Sequence, residues 1–119
     1  MIQADAISET FVPDVDPDVA WIEVDGEVVL YHEGSKTLHV LNPTATMIWR
    51  CLDGSGDLTS IANDLAEIFE ADPEAVSADV VSAVREMGRQ GLLTGVEPDP
   101  EAVAANRIDA VAEPESLDE

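Results

Sequence analysis

Two histidines flank a short turn between predicted strands, and imidazole is the commonest metal-binding side chain. If Thr37 pairs with His32, the side chains of His32 and His39 lie on one face of the hairpin. Together with the carboxylate of Glu33 they could supply three zinc ligands, whereas a structural site needs four and a catalytic site three well-placed ones. We therefore expect two solvated strand histidines, with no metal centre and no cofactor.

Nucleophilic and acid–base catalysis have little support in this chain. The single cysteine, Cys51, follows Arg50 near the end of a predicted helix, and no base can be paired with it, so we expect a buried structural thiol. The 26 Asp and Glu residues are so dense in 119 positions that chance spacing explains any pair of carboxylates. Phosphate-binding loops, Ser-His-Asp sets and zinc-binding cysteine patterns are not found. The sequence predicts a protein that is not an enzyme.

Arg85 and Arg89 lie four residues apart on the third predicted helix and are two of the five basic residues of the chain. They form either a positive patch for an acidic ligand group or ion pairs with neighbouring acids such as Glu86 and Asp79. We favour the ion pairs because acids are abundant nearby.

The formal net charge of −21 excludes whole classes of partner. A double-stranded nucleic-acid site needs roughly 6 to 10 phosphate-neutralising cations, and five scattered ones cannot supply them. An anionic membrane surface repels the chain, and the longest segment without charged side chains, residues 37–49, is shorter than the roughly 18 residues of a membrane span. The N-terminus lacks the features of a secretory signal. We expect a cytoplasmic protein with no nucleic-acid and no membrane partner.

The acidic residues are concentrated at the two ends of the chain. Residues 1–20 contain five acids and no base, and residues 97–119 contain eight acids and a single arginine. Low hydrophobicity with high net charge is typical of segments that do not fold alone. We expect an acidic flexible tail over residues 1–19, one domain over 20–96, and an acidic C-terminal tail over 97–119. In the last tail a weak amphipathic helix is predicted from Val103, Arg107, Ile108 and Val111.

The middle of the chain predicts three strands followed by three helices. Residues 21–24 and 27–31 flank the hairpin signal Asp25-Gly26, and a second turn leads to a third strand over 37–41. After it the apolar spacing changes to about 3.6 residues, with Asn42, Asp57 and Asp72 as N-caps. The predicted buried stripes are Ala45, Ile48, Trp49 and Leu52, then Leu58, Ile61, Leu65, Ile68 and Phe69, then Val76, Val80, Ala83, Val84 and Met87. The predicted fold is α+β, an antiparallel meander with three helices, and Trp21 and Trp49 are expected in its core.

An ordered set of motifs in this middle segment resembles the PqqD family. In chain order the motifs are Val28-Val29-Leu30-Tyr31, Leu41-Asn42-Pro43-Thr44-Ala45 with Ile48-Trp49, Asp53-Gly54, Ile61-Ala62 with Leu65-Ala66, Asp79-Val80, and Gly91-Leu92-Leu93. The most specific are the Leu-Asn-Pro-Thr-Ala turn into the first helix and the Gly-Leu-Leu that ends the third. The resemblance covers about residues 20–96 and leaves both tails outside.

The resemblance implies a small domain similar to a winged helix-turn-helix, known as a RiPP recognition element. Such a domain binds the leader segment of a ribosomally made precursor peptide and presents it to a modifying enzyme, often a radical S-adenosylmethionine (radical SAM) enzyme or a leader peptidase. Pathways of this kind make pyrroloquinoline quinone, lasso peptides and other modified peptides. In that family the leader adds a strand beside the third strand and lies against the third helix. The peptide-binding residues implied here are Thr37, Leu38, His39, Val40, Leu41, Val81, Val84, Arg85, Met87 and Gly88.

The residues themselves support strand addition, which needs an unpaired strand edge and apolar pockets. Gly88 costs about 1 kcal/mol inside a helix relative to Ala and would let another backbone approach, and Met87 adapts to different ligands. Two other functions stay open. A winged-helix transcription regulator would need a basic recognition helix, which this chain lacks. The other is a small acidic carrier or adaptor that acts on a protein partner. A carrier would show an Asp-Ser-Leu attachment site, and only Glu115-Ser116-Leu117 approaches it.

Overall fold

The computed structural model describes residues 1–52 and 54–105, in which helices cover one face of a small antiparallel sheet. The strands β2, β3 and β4 form this sheet in that order, and β1 pairs in parallel with β5. The predicted α+β order of three strands and three helices is confirmed. The strands are β1 (Ile2–Gln3), β2 (Val19–Val24), β3 (Glu27–His32), β4 (Thr37–Val40) and β5 (Val96–Glu97), and the helices are α1 (Pro43–Arg50), α2 (Leu58–Phe69), α3 (Pro73–Arg89) and α4 (Pro100–Ala105).

Two tight turns set the register of the three-stranded sheet. Asp25 and Gly26 both have positive φ angles, 54° and 84°, as the two-residue turn of a right-twisted hairpin requires. The second turn ends at Lys36, with φ 59°, and brings Thr37 opposite His32. The predicted pairing of these two residues is therefore confirmed, and both histidine side chains lie on the same face of the sheet.

Each of the three main helices begins at its predicted N-cap. The side chains of Asn42, Asp57 and Asp72 each accept a hydrogen bond from a main-chain N–H of the first turn, at 2.8, 2.9 and 3.1 Å. A cap of this kind stabilises a protein by about 1 kcal/mol. Pro43 and Pro73 follow two of these caps, where a missing N–H costs the helix no hydrogen bond.

The core lies between the sheet and α1, α2 and α3. Most residues of the predicted stripes are buried, together with the inward side chains of β3: Val28, Leu30, Ile48, Trp49, Leu58, Ile61, Leu65, Val80, Val84 and Met87. The stripe prediction is wrong at the end of α2, where Ile68 and Phe69 are exposed and the small side chains of Ala62 and Ala66 face the core instead. Trp21 is 49% exposed rather than buried, because it lies on β2, the strand at one edge of the sheet.

The structure differs from the sequence-based expectation at the N-terminus, where a flexible tail was expected over residues 1–19. Ala4 and Ile7 are buried in the main core, and β1 pairs with β5. The carbonyls of Phe11 and Glu9 accept hydrogen bonds from the first two N–H groups of α2, each at 3.1 Å. We call residues 1–18 the N-terminal segment.

The prediction of flexibility from composition is wrong for this segment because its acidic residues outnumber the few apolar residues that anchor it to the domain. Its five acidic residues dominate the net charge, whereas Ala4, Ile7 and Pro13 supply the buried contacts. Further support comes from the hydrogen bond of Asp16 N–H to the Leu92 carbonyl, 2.9 Å long. A segment that cannot fold alone can still be ordered by a domain whose exposed N–H groups and apolar surface it covers.

Beyond α3 the chain returns across the domain and ends, within the described residues, in the six-residue helix α4. Val103 of the predicted weak amphipathic helix lies in α4, whereas Arg107, Ile108 and Val111 lie outside the described residues. None of the helices described is long and apolar enough to cross a lipid bilayer.

Candidate functional site

The free edge of β4 presents main-chain groups at every second residue. Leu41 N–H donates a hydrogen bond to the Val28 carbonyl, 2.9 Å away. Bonded pairs alternate along two antiparallel strands, so Thr37 and His39 are the β4 residues whose main chain faces β3. The N–H and C=O groups of Leu38 and Val40 therefore point away from the sheet. In the described part of the chain no strand pairs with this edge.

Helix α1 holds the end of β4 in place through one hydroxyl group. Thr46 is buried, and its Oγ1 accepts a hydrogen bond from Val28 N–H at 3.2 Å and donates one to the Leu41 carbonyl at 3.3 Å. The hydroxyl bridges two main-chain groups where the β3–β4 ladder stops. The position of the strand edge relative to α1 is thereby fixed.

A groove of about 530 Å³ lies between the end of β4, the start of α1 and one side of α3. Leu41 and Met87, which are almost completely buried, give it an apolar lining, and the short side chain of Ala83 leaves it open. Asp79, Glu86 and Arg89 lie along its α3 side, and Arg89 is ion-paired with Glu86. With two acids and one base the lining has a net negative charge, which favours a basic group beside an apolar side chain.

Three polar side chains form a hydrogen-bonded row on the core side of β4 and the turn before it. His39 Nε2 lies 3.0 Å from Thr37 Oγ1, which lies 3.0 Å from Ser35 Oγ. Burial lowers the pKa of His39, the neighbouring His32 lowers it further, and the carboxylate of Glu86 opposes both. His39 is thus neutral at neutral pH. The prediction of solvated histidines is wrong, because the face of the hairpin that carries them is the face that packs on the helices.

His32 is also buried, with the carboxylates of Asp16 and Asp18 close to it. Its Nδ1 accepts a hydrogen bond from Ser35 N–H at 3.1 Å, which assigns the ring proton to Nε2, 3.3 Å from Asp16 Oδ2. A metal ion at Nε2 would have to displace that proton. Glu33, the carboxylate considered from the sequence, is exposed and does not belong to this cluster. The arrangement is that of a hydrogen-bonded histidine in the core.

The other side of α3 is occupied by the N-terminal segment. Arg85 donates hydrogen bonds from Nε and Nη2 to the Ile7 carbonyl, at 3.0 and 2.8 Å. Arg89 bonds to the carboxylates of Asp5 at 2.9 Å and Glu86 at 3.1 Å. Both guanidinium groups are therefore engaged within the chain. The ion-pair alternative holds for Arg89, whereas Arg85 binds a main-chain carbonyl that the sequence did not indicate.

Gly88 permits close packing against this same segment. A β-carbon at position 88 would lie 2.7 Å from Val96 Cγ1, 3.3 Å from Ile7 Cδ1 and 3.4 Å from Ala4 Cβ. The missing side chain makes room for side chains of the chain itself, in β5 and the N-terminal segment, and not for the backbone of another strand.

The middle of the chain matches a known family. The model of "Coenzyme PQQ synthesis protein D (PqqD)" matches residues 27–93, which are more than half of the chain. The chain belongs to the PqqD family. The matched region contains β3, β4, α1, α2 and α3, and hence both walls of the groove. The N-terminal segment and α4 lie outside it.

Two solved structures share the fold of this PqqD-family chain. One is the structure of TbiB1 in complex with the TbiA(beta) leader peptide, with 24% sequence identity and a TM-score of 0.64. The match covers 69% of this chain and 95% of the TbiB1 chain. The solution NMR structure of the PqqD truncation of Methylobacterium extorquens PqqCD, a stand-alone RiPP recognition element, is 22% identical, with coverages of 76% and 96% and a TM-score of 0.66. No curated protein matches the chain.

The ten residues predicted to bind a peptide lie in three places. At the β4 edge or in the groove lie Leu38, Val40, Leu41 and Met87. The side chains that point into the core are those of Thr37, His39 and Val84. The side of α3 that faces the N-terminal segment, or the cleft beside it, carries Val81, Arg85 and Gly88. Their part in peptide binding stays a prediction. The groove adds Asp79, Ser82, Ala83 and Glu86, whose helical spacing with Met87 was the available signal. Cys51 is half-buried at the end of α1 rather than buried as predicted.

Proposed function

We propose that this chain binds the leader segment of a ribosomally made precursor peptide as a fourth strand beside β4 and presents it to a modifying enzyme. The observation that carries the proposal is the β4 edge, whose outward main-chain groups at Leu38 and Val40 pair with no described strand, and which leads at Leu41 into a groove beside α3. Membership of the PqqD family supports it. So does the shared fold of TbiB1, whose solved structure contains a leader peptide.

The groove chemistry defines the kind of leader that fits. A strand added to β4 would direct alternate side chains toward α3, where Leu41, Ala83 and Met87 offer apolar contacts. Asp79, Glu86 and Arg89 border those contacts, and their net negative charge favours a leader with Lys or Arg beside its apolar anchor. The sequence had left open an acidic ligand group for Arg85 and Arg89. The proposed leader is basic instead, because both arginines already bind the N-terminal segment.

In this proposal the chain binds and presents, and the partner makes or breaks the covalent bonds. A radical SAM enzyme and a leader peptidase are the candidate partners implied by the family. No cofactor is needed for strand addition, since main-chain hydrogen bonds supply the affinity. We expect the binding to take place in the cytoplasm, where ribosomally made peptides are released.

The experiment is a titration of the fluorescently labelled cognate leader, repeated with leaders that are N-methylated at one residue at a time. Strand addition predicts that loss of affinity follows a period of two, because only every second leader N–H points at β4. Ala83→Arg should fill the groove and weaken binding at least tenfold. Ala78→Arg is the matched control on α3, since Ala78 lines a different cleft, and it should stay within twofold of the wild type.

Three results would contradict the proposal. Absence of leader binding by the folded wild-type chain would remove the function itself. An N-methyl scan without a period of two would remove strand addition. Equal losses for the two arginine variants, both folded as judged by circular dichroism, would remove the groove as the binding site.

A further inference from the structure

The outward face of the β2–β3–β4 sheet is apolar across all three strands. The register aligns Ala20 with Tyr31 and Leu38, and Ile22 with Val29 and Val40, so these side chains share the face opposite the helices. Val24 continues the row at the end of β2. Ile22 and Val40 are 62% and 64% exposed. No described helix or strand covers this face.

Antiparallel sheets with one face on the core commonly carry polar side chains on the other face. In this sheet the alternation places apolar residues on both sides, because Val28 and Leu30 face inward while the row that contains Ile22 faces outward. A contiguous exposed apolar patch on a chain with a net charge of −21 indicates an interaction surface.

The border of this face carries negative charge. Asp25 and Glu27 are exposed at one end of the strands, and Glu33 is exposed at the other, where Lys36 supplies one positive charge. A partner whose apolar centre is bordered by Lys and Arg is complementary to this arrangement, and the charges would accelerate its encounter with the chain.

A second copy of this chain does not fit the same face. β2 and β3 have six residues each and β4 has four, so with strands about 4.8 Å apart the face covers about 250 Å², whereas a standard interface buries about 800 Å² on each partner. Two chains of −21 charge would also repel each other across acidic borders. Any partner needs further contacts beside the sheet to reach that area, and the charge favours a different protein with a basic border over a second copy.

We infer that the outward sheet face is the docking surface of the enzyme that acts on the bound precursor, and that the enzyme's contact surface has an apolar centre bordered by basic residues. The inference rests on the proposed function, because a leader strand beside β4 would extend the same face and place alternate leader side chains level with Leu38 and Val40. The enzyme then contacts carrier and leader together. Because the leader would form part of the docking surface, the enzyme would bind the leader-loaded chain more tightly than the chain without leader.

The experiment compares substitutions at two isoleucines of equal exposure. Ile22, 62% exposed, lies on the sheet face two strands away from the β4 edge, and Ile68, 63% exposed, lies on α2. We would prepare Ile22→Glu, Ile22→Lys and Ile68→Glu and verify their folding by urea denaturation. Two titrations are made with each variant. In the first, the purified enzyme that modifies or cleaves the cognate precursor is titrated against the leader-loaded chain. In the second, the labelled leader alone is titrated against the chain.

We expect Ile22→Glu to weaken enzyme binding at least tenfold and Ile22→Lys to weaken it more, since Lys also opposes a basic border. Ile68→Glu should stay within twofold, and all three variants should keep leader affinity within twofold. Enzyme binding by the wild type should weaken as salt is raised.

The inference is overturned if Ile22→Glu binds the enzyme as tightly as the wild type does. It is also overturned if the leader-loaded wild-type chain does not bind the enzyme. Neither outcome contradicts leader binding. Loss of leader affinity in folded Ile22→Glu would assign the face to the leader. Concentration-dependent dimers in sedimentation that Ile22→Glu abolishes would assign it to a second copy. Failure of the wild type to bind leader is a separate result, which refutes the proposed function.

Discussion

Replacement of Ile7 by Ala tests whether the N-terminal segment is part of the folded domain. Ile7 is 0% exposed, and its Cδ1 lies against Gly88 in the interior. Truncation of a buried isoleucine to Ala costs about 2 to 5 kcal/mol, and the cost is highest where the surroundings cannot close the cavity. Arg85 holds the main chain of this residue by two hydrogen bonds, which opposes closure. We expect a loss of about 3 kcal/mol in the free energy of unfolding.

That loss would be a large fraction of the total, since domains of ordinary stability unfold at a cost of about 5 to 15 kcal/mol. The assay is urea denaturation followed by far-ultraviolet circular dichroism, with the dependence on denaturant fitted for each variant. Ile2→Ala is the control, because Ile2 lies in the same segment and is exposed. Exposed substitutions usually change stability by less than about 0.5 kcal/mol.

The reasoning would be refuted if Ile7→Ala and Ile2→Ala had the same stability as the wild type. Such a result would mean that the segment does not pack on the domain. A large loss in both variants would point instead to an effect of the segment's strand pairing, since Ile2 pairs with Val96. Only a loss confined to Ile7 matches burial as its cause.

Three further perturbations follow from the site. Thr46→Val should lower the free energy of unfolding by about 1 to 3 kcal/mol, because the two main-chain groups that its hydroxyl bridges would be buried without partners. Arg85→Gln should lower it by about 1 to 3 kcal/mol, since the Ile7 carbonyl loses two charged donors. Because the pKa of His39 is lowered in the fold, the unfolded chain binds more protons below about pH 6.5, so stability should fall as the pH decreases through 6.5 toward the folded pKa.

Conservative variants serve as controls for these three predictions, with denaturant titration as the measurement. Thr46→Ser keeps the hydroxyl and should be closer to the wild type than Thr46→Val. Arg85→Lys should recover only part of the loss, because an ammonium group lacks the planar fork. His39→Gln should flatten the pH dependence between pH 5 and 7, and an unchanged slope in this variant would assign the effect to another group.

The sequence was sufficient for features that depend on neighbouring residues. Asp25-Gly26 specifies its turn because both positions need positive φ, and each N-cap uses a side chain within three residues of the N–H it binds. The strand and helix order follows from these signals and from the apolar spacing. Even the shared face of the two histidines follows from the turn length.

The sequence was insufficient where residues far apart in the chain meet. Arg85 and Ile7 are 78 positions apart, and no local pattern indicates that a guanidinium group will bind a main-chain carbonyl. The same limit applies to Gly88, whose neighbour Val96 belongs to a two-residue strand too short to detect. The exposure of the histidines was misjudged because alternation identifies two faces of a strand but not which one meets the helices.

The contacts of α3 show how the groove at the end of β4 differs from the cleft on the opposite side of this helix. One side of the helix is held by the N-terminal segment, because Arg85 binds the Ile7 carbonyl, Arg89 binds the Asp5 carboxylate, and Gly88 packs against Ile7 and Ala4. The other side faces the β4 edge across the short side chain of Ala83. A strand added beside β4 would gain main-chain hydrogen bonds and apolar contacts together. The cleft of about 1060 Å³ on the opposite side is lined by α2, α3 and the N-terminal segment, and none of its lining residues belongs to a strand. In the proposed function the segment would therefore restrict a leader peptide to the groove at the end of β4.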